Sequence, residues 1–263
     1  MSRLSSLPPV LSHRIAERRL LKVIAGLTNF DVASVERIAR AAAAGGADLI
    51  DIACDPQLVA RVAAIAPALP ICVSAVDPEL FPVAMAAGAH LVEIGNFDAF
   101  YPLGRVFGAD EVLDLTRRTR NLLPEVVLSV TVPHTLPLDA QELLAADLQL
   151  AGADLIQTEG ACAARPLAPG TLGLIEKAAP TLAAAHAISH AVALPVLCAS
   201  GLSAVTVPMA IAAGASGVGV GSAVNRLDDE LAMVAVVRGL RDALAGVGLQ
   251  LSAGGRLSSL GRS

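Results

Sequence analysis

Asp51, Glu93, Gln157 and Gly219 stand at the same place in four related segments: GGADLIDIA from Gly45, AGAHLVEIG from Ala87, AGADLIQTE from Ala151 and AGASGVGVG from Ala213. Each lies five residues beyond the glycine of a Gly-Ala pair, namely Gly46, Gly88, Gly152 and Gly214. A helix that ends at Gly-Ala and feeds a buried strand accounts for the apolar residues. It does not account for Asp, Glu and Gln at one register, and such a register aims three polar groups at one point. Two carboxylates brought together in a low-dielectric interior cannot both ionise cheaply. One pKa rises, and the pair becomes an acid and a base for proton transfer.

Lys22 is one of only two lysines and falls inside the first apolar run. Its place near the start of that run predicts a neutralising role at the closed end of the fold, with the amine reaching toward water. The alternative is a buried amine paired with Asp51, or one that forms a Schiff base with a carbonyl substrate. His134 ends the fifth apolar run at SVTVPH and titrates near neutrality, which makes it the histidine best placed for chemistry. Asn29 follows the first run, Asn96 the fourth, and Glu159 lies two residues past Gln157. With Gln157 these form the expected substrate-orienting set. No metal is expected, because His186 and His190 share a helical face without a carboxylate at ligand spacing.

The segment LPVLCASGLSAVTVPMAIAAGASGVGVGSAVNR carries two glycine-serine turns, at Ser200-Gly201 and at Gly221-Ser222. Glycine lets the backbone approach an anion without a Cβ in the way, and serine adds a hydroxyl donor and a helix cap. Two such turns after consecutive strands predict a phosphate cup.

These groups need a scaffold that brings distant segments together. Eight short apolar runs, at residues 22–25, 49–53, 71–75, 91–94, 126–132, 155–158, 196–199 and 217–220, alternate with Ala-rich helical patterns. The runs lack strict polar alternation, as strands buried on both faces do. Strand and helix alternating eight times predict an α/β fold, a single-domain (β/α)8 TIM barrel of the phosphate-binding type. Inward residues of one layer then come from alternate strands, so Asp51, Glu93, Gln157 and Gly219 share a level, with Ala53, Gly95, Glu159 and Gly221 nearer the mouth. Residues 1–20 read as a cap, helical over 10–19, residues 21–251 as the barrel, and residues 252–263 as a flexible low-complexity tail. Two longer connections, 96–124 and 159–194, pass over the catalytic face; the first holds the single tyrosine and three of the five phenylalanines.

Composition excludes several classes. Of 263 residues 54% are hydrophobic and 2% aromatic, and the net charge is -5. A nucleic-acid footprint is absent, since there is neither a basic excess nor a set of stacking aromatics. Residues 191–225 contain no charge, but Pro195, Pro208 and several glycines and serines divide them, so no membrane span is expected. The N-terminal residues lack a long apolar stretch, and four widely spaced cysteines fit a reducing, cytoplasmic compartment.

The stretches KVIAGLTNFD, GADLIDIACDP, PICVSAVDP, LVEIGNFDAFY, SVTVPH, LIQTEG and LCASGLSAVTVPMAIAAGASGVGVGSAVN resemble the family of hypothetical chloroplast reading frame number 23, encoded in cyanobacteria and some algal plastids. The resemblance runs from Lys22 to the last helix and implies an aldolase-type barrel, in the plastid stroma for the algal relatives. It supplies no established reaction. The phosphate end is similar to flavin mononucleotide (FMN) barrels such as nitronate monooxygenases, and to phosphosugar lyases. The GADLID turn is similar to the one that carries the catalytic carboxylate in the tryptophan synthase α subunit, which maps onto Asp51. Where the monooxygenases carry a glycine-histidine segment after the sixth strand, this chain has TEGACAAR.

Three functions are therefore expected in turn. The first is a lyase, isomerase or synthase acting on a small phosphorylated molecule, with Asp51 and Glu93 as acid and base, Lys22 and His134 beside them, Asn29, Asn96, Gln157 and Glu159 on the substrate, and Ser200, Gly201, Gly221 and Ser222 on the phosphate. The second is an FMN-dependent oxidoreductase using the same cup. The third is a non-enzymatic metabolite sensor or scaffold. A homo-oligomer is compatible with all three.

Overall fold

The computed structural model describes residues 3–160 and 164–257. Its centre is a closed barrel of eight parallel strands in sequential order. They are β1 (Leu20–Gly26), β2 (Leu49–Ala53), β3 (Ile71–Ala75), β4 (Leu91–Ile94), β5 (Leu128–Thr131), β6 (Leu155–Gln157), β7 (Val196–Ala199) and β8 (Gly217–Val220). The helices are α1 (Pro9–Ala16) before the barrel, then α2 (Val32–Gly45), α3 (Pro56–Ile65), α4 (Phe81–Ala86), α5 (Ala109–Leu122), α6 (Leu138–Leu150), α7 (Gly170–Ala191), α8 (Val207–Ala212), α9 (Ser222–Asn225) and α10 (Glu230–Leu257). Helix α10 thus extends through residues 252–257 of the expected tail, and residues 258–263 lie outside the described residues.

The fourfold repeat is a helix stop. Gly46, Gly88, Gly152 and Gly214 all take positive φ, at 86°, 111°, 99° and 114°. In each case the next alanine's N–H reaches back five residues: Ala47 to Ala42 O, Ala89 to Ala84 O, Ala153 to Leu148 O and Ala215 to Ala210 O, at 2.9 to 3.2 Å. This is the Schellman pattern, which needs a left-handed residue at the glycine. It launches β2, β4, β6 and β8 in one phase, which is why the residues five further on face inward together. Asp31 and Asp55 start α2 and α3 by accepting from backbone N–H groups two and three residues on.

The barrel is filled in layers. The lowest is apolar: Leu20, Leu49, Cys72, Leu91, Val127, Leu155 and Leu197 pack against Leu7, Leu11 and Ile15 of the N-terminal cap. The cap therefore plugs the bottom. Above it lies a polar layer, described next. Outside the staves, the larger core joins the outward strand residues to the helices. Strand β1 begins two residues earlier than the sequence predicts, and its register against β2 shifts between Ile24 and Gly26. The early start decides where Lys22 falls.

Candidate active site

Lys22, Asp51, Ser74, Glu93, Ser129 and Gln157 form the polar layer, each at most 1% exposed. The register places them together: Ser74 pairs with Glu93, Glu93 with Ser129, and Lys22 with Gly219. Lys22 Nζ donates to Glu93 Oε2 at 2.6 Å and Gln157 Oε1 at 2.9 Å, and forms an ion pair with Asp51 Oδ2 at 3.2 Å. Ser129 Oγ donates to Glu93 Oε2 at 2.7 Å, and Gln157 Nε2 to Glu93 Oε1 at 2.7 Å. Ser74 Oγ donates to Asp51 Oδ1 at 2.5 Å. Gly219 leaves the space this needs: a Cβ there would stand 3.0 Å from Ile24 Cδ1 and 3.3 Å from Gln157 Oε1.

The expectation that Lys22 lies at the closed end and reaches water is corrected. Because β1 starts at Leu20, Lys22 is its third residue and stands above the leucine plug, level with both carboxylates. Burial by itself would depress the amine's pKa, but the charges of Asp51 and Glu93 outweigh it and hold the pKa above 10.5. The buried amine is thus paired with both carboxylates, which favour its charged form. Burial raises the pKa of Glu93 in spite of the Lys22 charge, and the neighbouring Asp51 pushes in the same direction.

Asn96 closes this layer from above. It adopts left-handed φ 61°, ψ 47°, uncommon for a residue with a side chain. Its Nδ2 lies 2.9 Å from Asp51 Oδ2, 3.2 Å from Ser74 Oγ and 3.2 Å from Glu93 Oε1, and its Oδ1 accepts from Gln157 Nε2 at 3.1 Å. Asn96 also lines a cavity of about 340 Å³ at the mouth of the barrel, together with Ile24, Asp98, Glu159, Ser200, Gly201, Gly221 and Ser222. Asp51 and Glu93 do not line it. The carboxylate pair therefore faces inward, as the register predicts, but lies one layer beneath the cavity.

A second polar group surrounds Glu159, which is 3% exposed. Its Oε1 accepts from the Tyr101 hydroxyl, from His134 N–H at 3.1 Å and, at 3.1 Å, meets His134 Nδ1; Oε2 accepts from Asp98 N–H at 3.3 Å. His134 Nδ1 is also 3.5 Å from Asp98 Oδ1. Burial opposes the charge on His134, but its hydrogen bond to Glu159 and the two carboxylates prevail, and its pKa lies above 6.5. Burial raises the Glu159 pKa, against the donors it accepts from. Asp98, His134 and Glu159 offer ligand atoms all within 4.8 Å of one another, and among the described residues they are the group that could hold a metal ion. The sequence reading finds no metal pattern because these ligands come from three separate strand ends. Hydrogen-bond donors of the protein already satisfy Glu159 Oε1, so the cluster does not require an ion to be stable.

At the glycine-serine turns, Ser200 and Gly201 both take positive φ, 78° and 74°. Ser200 Oγ donates to Asp98 Oδ2 at 2.7 Å, so this hydroxyl faces a carboxylate. The expectation that Ser222 caps a helix is corrected: the capping position is Gly221, without a side-chain cap bond, and α9 is a single turn of four residues. Asn29 is also placed differently. Its amide donates to Ala25 O and Ser34 Oγ and its Oδ1 accepts from Asp31 N–H, so it braces the turn between β1 and α2 and does not line the cavity. His134 is held behind Glu159 and likewise does not line it. Lys177 of α7 and Arg226 after α9 do line the cavity, and the sequence reading passes over both. Neither follows a strand directly, and no local pattern shows that a side chain on an outer element reaches the mouth.

The fold and the layered mouth define an aldolase-type (β/α)8 barrel. Similar solved structures include a thiamine phosphate pyrophosphorylase from Pyrococcus furiosus, at 18% identity and a TM-score of 0.57 over 88% of this chain and 98% of that one. A 3-hexulose-6-phosphate synthase matches at 18% identity and a TM-score of 0.60, over 85% of this chain and 99% of that one. The chain belongs to the family described as a protein of unknown function (DUF561), whose model matches residues 6–248. Its relatives include the uncharacterized protein ycf23 of Cyanophora paradoxa, 47% identical over 72% of this chain and 77% of that protein. The ycf23 protein of Porphyra purpurea is 37% identical over 89% of this chain and 88% of that protein. Among the described residues, no helix is long and apolar enough to cross a membrane.

Proposed function

We propose that the protein is an enzyme, a lyase, isomerase or synthase, acting on a small phosphorylated metabolite by carboxylate acid–base chemistry. One observation carries this reading: a single cavity joins both glycine-serine turns, after β7 and β8, to a floor residue that touches Asp51 and Glu93. The phosphate is held by the amides of Ser200, Gly201, Gly221 and Ser222. Anchoring it converts binding energy into position for the reacting end. The substrate's polar group takes the place of the Asn96 amide above the carboxylates. Asp51 then removes the proton from the carbon beside a carbonyl, and Glu93, the carboxyl with the raised pKa, returns one. Lys22 keeps its proton throughout and stabilises the negative charge that develops. Gln157 fixes Lys22 and Glu93 relative to each other, while Glu159, held from behind by His134, orients the rest of the substrate. The free thiols of Cys54, Cys72 and Cys198 suit a reducing compartment, cytoplasm or plastid stroma.

The test has two stages. Phosphate esters should raise the melting temperature and their dephosphorylated counterparts should not. On the ester that turns over, Asp51→Asn should abolish turnover while ligand affinity stays within about threefold. An Asp51→Asn variant that keeps both activity and affinity would show that this carboxylate is not the base.

A further inference from the structure

The cavity has a polar axis. Gly221, Ser222, Asn225 and Arg226 line it from the end of β8, and Asp98 and Glu159 from the ends of β4 and β6. In an eight-stranded barrel β4 stands opposite β8, so the chain at the β8 end faces the Asp98 segment across the mouth, while Asp98 Oδ2 accepts from Ser200 Oγ after β7 at 2.7 Å and Glu159 lies two staves from β8. Lys177 adds a second cation on the β7 side, from α7. Neither Lys177 nor Arg226 forms an ion pair with a described residue. The apolar lining is Ile24, Leu27 and small alanines, without an aromatic ring. Among the described lining residues, a flat base or an isoalloxazine ring finds no aromatic stacking partner.

Resting on the reading that the site takes a phosphorylated compound, we infer that its ligand is a phosphorylated polyhydroxy carbonyl compound, an uncharged hydroxylated chain with one phosphate end, of which a polyol phosphate is the non-reacting analogue. The phosphate lies toward Arg226 and Lys177. The hydroxyls donate to Glu159 and Asp98, which when ionised can only accept. The carboxylate end already carries compensation, because His134 lies 3.1 Å from Glu159 and 3.5 Å from Asp98. Neutral donors therefore fit it better than a further cation does. A carboxylate on the ligand would meet two carboxylates at close range in a partly desolvated site, and this repulsion selects against phosphorylated acids. Glu159 and Asp98 thus act as specificity determinants by rejection as well as by hydrogen bonding.

The experiment is calorimetric titration of the full chain with glycerol phosphate, phosphoglycerate and phosphoethanolamine, three esters of similar size, in chelator and again with magnesium. Glycerol phosphate should bind about tenfold more tightly than phosphoglycerate, and the ratio should fall to within about threefold in Glu159→Gln. Arg226→Met should weaken all three esters together by about tenfold without changing their order. Phosphoglycerate binding as tightly as glycerol phosphate, or doing so only with magnesium, overturns the inference while leaving the phosphate reading intact. Tightest binding by phosphoethanolamine also overturns it. Failure of all three esters to bind overturns both. The wild-type ranking alone decides the matter if Glu159→Gln does not fold.

Discussion

Replacing Lys22 by methionine is the most informative perturbation of the buried layer. The side chain has nearly the same length, but the charge and three donors disappear. Asp51 and Glu93 are then left 1% and 0% exposed without their cation, although Ser74, Ser129, Asn96 and Gln157 still donate to them. Breaking a buried ion pair from one side costs about 3 to 5 kcal/mol, because a desolvated charge remains. Domains have about 5 to 15 kcal/mol in total, so the variant loses a large share of its stability. At roughly 2 to 4 °C per kcal/mol for chains of 150 to 250 residues, the melting temperature should fall by about 6 to 20 °C. The loss should also depend on pH. A carboxyl with a raised folded-state pKa stabilises the fold only below that pKa. Its contribution is full below the unfolded value and disappears as pH rises through the folded one. Glu93 is already raised above 4.5 in the wild type, and removing Lys22 takes away the charge that restrains it. The variant should therefore lose stability as pH rises from the ordinary carboxylate range through neutrality, and more steeply than the wild type. The Lys22 amine itself stays protonated throughout that window, since its pKa lies above 10.5. Thermal melts across this pH range measure both effects, and Lys22→Met/Glu93→Gln should recover part of the lost stability at neutral pH. A single variant that melts within about 2 °C of wild type at neutral pH, with no steeper pH dependence, would refute the charged-layer argument.

The second polar group gives a spectroscopic prediction. Glu159→Gln removes the strongest influence raising the His134 pKa, so burial should carry that pKa down from its elevated position, as NMR titration of the ring would record. An unchanged titration would mean that Glu159 does not set the charge on His134. The repeated helix stop gives a paired prediction. Gly88→Ala meets nothing within 4 Å and should lose only about 1 to 2 kcal/mol from its positive φ, whereas a Cβ at Gly214 would stand 2.0 Å from Ser189 Oγ, so Gly214→Ala should lose more than about 3 kcal/mol. Urea unfolding compares the two directly; equal losses would assign the whole effect to backbone conformation.

The eight staves are legible in the sequence because strands buried on both faces are short, apolar and separated by helix signals. The phase of the even strands is legible for a different reason: one turn, with one glycine, sets it four times. Asp51, Glu93 and Gln157 therefore converge as their spacing predicts. The odd strands carry no such marker. Ser74 and Ser129 complete the layer with no local sign that they do, and Lys22 is misplaced because an apolar run does not show that β1 begins at Leu20. Asn29 illustrates the opposite error. A polar residue just past a strand can reach the mouth or brace its own turn, and here Ser34 and Asp31 decide for the turn. Asp98, His134 and Glu159 come from three connections, so only the folded arrangement makes them a group. The depth of the carboxylates beneath Asn96 is likewise a property of packing, since spacing gives the level of a side chain but not what covers it.

Among the described residues, the leucine plug under the polar layer closes the lower end, so the interior opens toward the mouth. With Leu7, Leu11 and Ile15 sealing the lower end, a proton exchanged with Asp51 or Glu93 has to pass the same rim through which the proposed ligand would enter. A bound molecule then stoppers the chamber. Its charge state on entry becomes the charge state in which the interior must work, and exchange with solvent resumes only on departure.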